Sequence, residues 1–113
     1  MKKEIEIIFL KEAEKYFNKL AQKIQDKLVV SFTKTKLGYK GEWFEKLKNS
    51  DGIFEFRTRD ESKFYRVFAF WDGRGKNETL IVGTHGFDKK SNKTPTKEIK
   101  RAEQIKKLYF NSK

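Results

Sequence analysis

Cysteine is absent from the sequence, and histidine occurs once, at His85. Disulfides and thiolate metal sites are therefore excluded, and an ordinary Cys/His zinc site cannot be assembled from one chain. No run of about 20 apolar residues exists, so no spanning helix is expected. The apolar stretch at residues 7–10, behind Met1-Lys2-Lys3-Glu4, is too short for the core of a signal peptide. A soluble, cytoplasmic protein with no membrane association is expected. The sequence also lacks G-x-x-x-x-G-K-[ST], G-x-G-x-x-G, H-E-x-x-H and G-x-S-x-G, which removes the common nucleotide, zinc-protease and serine-hydrolase signatures. Its acidic residues are scattered, which argues against metal-assisted hydrolysis and leaves no cofactor expected.

What is present is basic and aromatic. The 113 residues fit one domain, 1–113, and carry 27 Lys and Arg against 16 Asp and Glu, a net charge of +11. Such a balance favours a polyanion: nucleic acid, an anionic membrane surface or an acidic protein partner. The 11 Phe, 4 Tyr and 2 Trp supply the core that a charge-rich disordered chain would lack. The positive excess sits in two blocks, net +4 over residues 27–50 and net +6 over 86–113, around a neutral aromatic middle at 51–85.

Alternation of Ile5, Ile7 and Phe9 with Glu4, Glu6 and Ile8 predicts a short strand. Leu10, Ala13, Phe17, Leu20, Ala21, Ile24, Leu28 and Phe32 then recur at helical spacing. Two helices are expected, with a turn near 23–26 and Gly38 as the final cap. Residues 38–52 read as a loop. Strands are expected over 53–59, 63–71 and 78–87, joined by short turns into an antiparallel meander. The middle strand carries apolar residues on both faces, and Gly83 inside the last suggests a bulge or a close approach. Thr94-Pro95 reads as a capped helix start, with Ile99, Ala102, Ile105 and Tyr109 along one face. The fold class is α+β: a small antiparallel sheet with a mixed edge, packed by two N-terminal helices and one C-terminal helix.

Four of the five arginines, Arg57, Arg59, Arg66 and Arg74, lie in the strand region. Arginine's rigid donor fork suits phosphate. Arg66 lies inside the aromatic central strand, where a cation is costly unless it is paired or faces a groove. Two readings stay open for it: an ion pair with Glu55, or a phosphate contact. His85 is either a general acid–base group or a strand histidine satisfied by a backbone partner. Lys89, Lys90 and Lys93 precede the last helix, where a phosphate could be received, or they simply solvate a loop. Lys34, Lys36, Lys40, Lys46 and Lys48 are interleaved with Tyr39, Trp43 and Phe44, a pattern able to stack bases and hold their backbone.

Gly52-Ile53-Phe54-Glu55-Phe56-Arg57, Tyr65-Arg66-Val67-Phe68, His85-Gly86-Phe87-Asp88-Lys89-Lys90 and Lys93-Thr94-Pro95 with Glu98-Ile99 together resemble the RelE/ParE toxin superfamily, and within it the HigB-like, phage-derived branch. The detailed match spans residues 47–103, and the element order extends it over nearly the whole chain. The resemblance implies a RelE-like sheet with a basic concave face, and the toxin half of a toxin–antitoxin pair. It further implies cleavage of mRNA on the ribosome through the RNA's own 2′-OH, without a metal, and a cognate helix-turn-helix antitoxin as partner. By position it places Arg66 on the scissile phosphate, Arg57 as a second phosphate contact, Lys89 and Lys90 among basic residues after the last strand, and His85 where some members supply an acid–base group. Arg59 would join the RNA contacts. The lysines that many RelE-like members carry before Arg57 are replaced here by Ile53 and Glu55, and the late tyrosine is missing. Glu55, His85, Lys46 or Lys48 is then left as the base. The resemblance also admits a ParE-like gyrase inhibitor, and an inactive RNA-binding domain is the blandest reading. On the first reading, Arg66→Ala abolishes growth inhibition and leaves the fold intact.

Overall fold

The computed structural model describes residues 5–85 and 94–112. These form, in order, β1 (Ile5–Phe9), α1 (Lys11–Lys19), α2 (Gln22–Lys36), β2 (Phe44–Lys46), β3 (Phe54–Arg59), β4 (Phe64–Asp72), β5 (Glu78–His85) and α3 (Thr96–Asn111). The strands make one sheet in the order β1-β5-β4-β3-β2. β2 to β5 pair antiparallel, while β1 lies parallel to β5 with Ile5 opposite Glu78. The expected meander, with one mixed edge, is thus observed. No helix among the described residues is long and apolar enough to cross a membrane.

β4 is apolar on both faces because both faces are covered. Tyr65, Val67 and Ala69 pack with Phe56, Leu80 and Val82 beneath α1 and α2, where Ala13, Ile24, Leu28 and Phe32 are buried. Phe32 meets Phe56 edge to face at 4.7 Å, and each such fully buried ring contributes about 1.5–3 kcal/mol. Phe68 and Phe70 point the other way, onto Ile53, Ile81 and Ala102 of α3. Gly83 supplies the expected bulge: Phe68 pairs with Thr84 but Ala69 pairs with Val82, leaving Gly83 between them. A Cβ there would lie 3.2 Å from both Phe70 and Ile105, so the position also needs the missing side chain.

Three details differ from expectation. The helices part at Leu20 and Ala21, a few residues earlier than 23–26, where both residues are extended with ψ of 150° and 148°. No glycine or proline marks this break. It is held from outside, by the Gln25 side-chain amide donating to the Phe17 carbonyl at 2.8 Å and by half-buried Leu20 packing on the core. The loop over 38–52 contains β2, a short edge strand whose pairing with Phe54, Glu55 and Phe56 comes from tertiary context. Thr94 does not cap α3. Pro95 occupies the cap position, where its ring offers no acceptor, and the Thr94 hydroxyl donates to Glu55. The C-terminus of α2 is as expected, closed by Gly38 N–H to Thr35 O and Tyr39 N–H to Lys34 O.

Candidate nucleic-acid interface

Alternation along β3 places Glu55, Arg57 and Arg59 on the α3 side of the sheet with Ile53, and along β4 it places Phe64 and Arg66 there with Phe68. The register sets Arg57 opposite Arg66 and Arg59 opposite Phe64. Two like charges directly opposed disfavour pairing. Glu55 offsets this from within. Arg66 Nε lies 3.1 Å from Glu55 Oε2, and Arg57 Nε lies 3.5 Å from Oε1. Thr94 Oγ1 donates to Oε2 at 2.5 Å. Burial pushes the Glu55 carboxyl above its ordinary value, against the Thr94 hydrogen bond and the two guanidinium charges, which act to keep it ionised.

The two open readings of Arg66 are separated by its surroundings. Its exposure is 0% and that of Glu55 is 3%, so the guanidinium is an interior ion pair and offers no surface to a phosphate. The exposed cations are its neighbours. Arg57 keeps 28% of its side chain accessible and reaches Glu45 at 3.8 Å. Arg59 is exposed, with its guanidinium carbon 4.9 Å from the Phe64 ring centre, and Arg66 lies 5.4 Å from the same ring. Beside them runs an open cleft lined by Glu42, Trp43, Arg57, Thr58, Arg59 and Phe64. The Trp43 ring lies so close over Gly41 that a Cβ there would fall 1.6 Å from a ring carbon. Lys34 Nζ sits 4.9 Å from the Trp43 ring centre. The cleft thus combines two accessible guanidinium groups with two rings, which suits a sugar-phosphate chain and its bases.

Not every predicted residue joins it. His85 pairs with Val67, so it lies on the α1–α2 side, where its ring stacks on Tyr16 at 4.1 Å and 6°. This placement puts the sheet between His85 and Arg57. Lys46 pairs with Phe54 and so shares that second face, and Lys48 is exposed beyond β2, at the end of β3 remote from Arg59. Lys89 and Lys90 lie outside the described residues. Sequence reasoning did not bring Glu45, Phe64 or Thr94 to the site. Phe64 was readable from the short 60–63 link, which fixes its pairing with Arg59; Glu45 and Thr94 arrive through tertiary placement alone.

Comparison with known proteins gives one positive result. No curated protein and no solved structure matches the chain significantly. The family model described as "Phage derived protein Gp49-like (DUF891)" matches residues 15–107. That span contains the second half of α1, all of α2, every antiparallel strand, the arginine cluster and most of α3. The chain therefore belongs to the phage-derived Gp49-like family, a RelE/toxin-like family.

Proposed function

We propose that this chain is a ribosome-dependent mRNA endoribonuclease of the HigB-like kind, the toxin of a toxin–antitoxin pair, held inactive by a helix-turn-helix antitoxin. The observation that carries this reading is the cleft beside Arg57 and Arg59, whose accessible guanidinium groups stand next to the rings of Trp43 and Phe64. In the reaction, the 2′-oxygen bonds to phosphorus, the bond from phosphorus to the 5′-oxygen breaks, and the 2′ proton passes to a base while the 5′-oxygen gains one. Arg57 and Arg59 stabilise the charge that develops on the phosphorane. Arg66 works one layer down: by holding Glu55 it fixes the carboxylate against which Arg57 is oriented. Glu45, with 52% of its side chain exposed and standing 3.8 Å from Arg57, is the described carboxylate best placed to take the 2′ proton.

Primer extension on a defined message, with and without translating ribosomes, tests the reading. Codon-positioned cuts are expected only with ribosomes. Arg57→Ala is expected to slow them by about 100-fold, as loss of one preorganised donor does, with an unchanged far-UV CD spectrum. Intact message together with trapped gyrase–DNA complexes overturns the reading in favour of a ParE-like inhibitor.

A further inference from the structure

The sheet face under α1 and α2 is not covered along its whole length. Beyond the C-terminus of α2, the rings of Phe44, Phe54 and Trp71 form a half-buried floor. Phe44 stacks on Phe54 at 5.1 Å, and Trp71 meets both edge-on at 6.5 and 6.4 Å. A groove of about 440 Å³ lies over this floor, with Tyr39 and Lys40 along its wall. Tyr39 is 64% exposed, and Leu37, where α2 ends, is 66% exposed. Large rings left accessible in a contiguous patch mark a binding surface more often than scattered single residues do. The groove is on the opposite side of the sheet from Arg57, and Phe54 and Arg59 stand at opposite ends of β3.

We infer that this groove receives an acidic polypeptide segment carrying a bulky apolar anchor. The anchor sits on the Phe44–Phe54–Trp71 floor, and its acidic flanks lie over Lys40 and Lys46, the latter directly opposite Phe54 in the register. Charge selects this occupant. Residues 27–50 carry six lysines and two acidic residues, and Lys36 in the last turn of α2 adds to the rim. A second copy of this chain would bring the same lysines against one another. A nucleic-acid backbone finds no arginine among the lining residues. An aromatic pocket ringed by cations matches the hot-spot pattern of protein interfaces, in which a ring or aliphatic anchor fills the centre and charged residues set partner choice at the rim. The inference does not depend on RNA cleavage, because the two surfaces share no residue.

The probe is a fluorescein-labelled synthetic peptide with Leu and Phe anchors among glutamates, titrated by polarisation into the full chain. Two control peptides replace either the glutamates by lysine or the anchors by serine. Binding in the range of tens of micromolar or tighter is expected for the first peptide, weakened at least about fivefold by Tyr39→Ser and again by Lys40→Glu, both at accessible positions. Both controls are expected to bind at least about tenfold more weakly. Equal binding by either control, no binding at all, indifference to both substitutions, or displacement by a single-stranded RNA oligomer overturns the proposal. So does sedimentation showing a dimer that Tyr39→Ser dissolves, since the occupant is then a second copy. Ribosome-dependent cleavage by Tyr39→Ser, measured in parallel, is expected at the wild-type rate, so failure of the RNA reading registers separately.

Discussion

Replacing Arg66 by alanine removes one member of an ion pair that water does not reach. Arg66 is 0% exposed and Glu55 3%, with 3.1 Å between Nε and Oε2. The substitution leaves a carboxylate desolvated beside a new cavity, with Arg57 at 3.5 Å and the Thr94 hydroxyl as its remaining partners. Breaking such a pair from one side costs about 3–5 kcal/mol. That is a large share of the roughly 5–15 kcal/mol that holds a domain folded. At a urea dependence of about 1–3 kcal/mol per molar, the unfolding midpoint falls by about 2 M. The sequence-based expectation that Arg66→Ala spares the fold is therefore replaced: loss of growth inhibition in this variant reports unfolding, and Arg57→Ala is the variant that isolates the RNA contact. The companion measurement is the double change Glu55→Leu with Arg66→Met, which removes both charges and keeps volume. It is expected within about 2 kcal/mol of the parent, the residue of the deficit being the Thr94 hydroxyl left without its acceptor. Urea melts at pH 7 followed by circular dichroism decide the matter. If Arg66→Ala unfolds within about 1 kcal/mol of wild type, or the double variant is no more stable than the single, the reasoning about this buried pair is wrong.

Gly83→Ala should destabilise the fold by about 1–3 kcal/mol, because its Cβ would press on Phe70 and Ile105; a urea midpoint at or above that of the parent contradicts the bulge assignment. Asp60 is held well below the ordinary carboxylate range, first by the Ser62 backbone N–H and then by the Tyr65 hydroxyl and the Lys63 N–H. Its contribution to stability is therefore full above about pH 4 and fades as pH falls toward its folded value. Asp60→Asn should lower the urea midpoint at pH 7, with the gap to wild type closing toward pH 2; a gap that does not change with pH refutes the linkage.

The elements that the sequence marks plainly are those whose pattern comes from local geometry. Alternation predicted β1 and β3, apolar residues on both faces predicted β4, the apolar run Leu80-Ile81-Val82 predicted β5, and spacing predicted α3 and both N-terminal helices. Gly83 announced its bulge because a glycine inside a strand marks a bulge or a close approach, and a Cβ there would lie 3.2 Å from Phe70 and Ile105. What was hidden depends on partners far along the chain. β2 is three residues long and exists only because Phe54, Glu55 and Phe56 offer it a ladder. Thr94 next to a proline reads as a cap, yet Pro95 itself takes the cap position and the Thr94 side chain is turned to the Glu55 carboxylate, 39 positions away. At the candidate site, the sequence placed the arginines on strands. It did not show that Arg66 stands opposite Arg57 and is buried, because burial depends on what lies above the sheet rather than on strand alternation. His85 was separated from the arginines by the one-residue bulge at Gly83, which carries the end of β5 onto the other face.

The parallel pairing of β1 with β5 gives the chain an order of completion. Ile5 is made long before Glu78, its neighbour in the sheet. During synthesis the opening strand must wait, undocked, until the β4–β5 hairpin has emerged, and such distant closures are slow. Ile7 and Phe9, which pack on the core from β1, stay open to solvent or to a chaperone for that interval. A nascent copy whose β5 has just emerged also still lacks Thr94, the donor to the carboxylate that braces Arg57 and Arg66, so the arginine pair is fully braced only after the chain beyond β5 has followed.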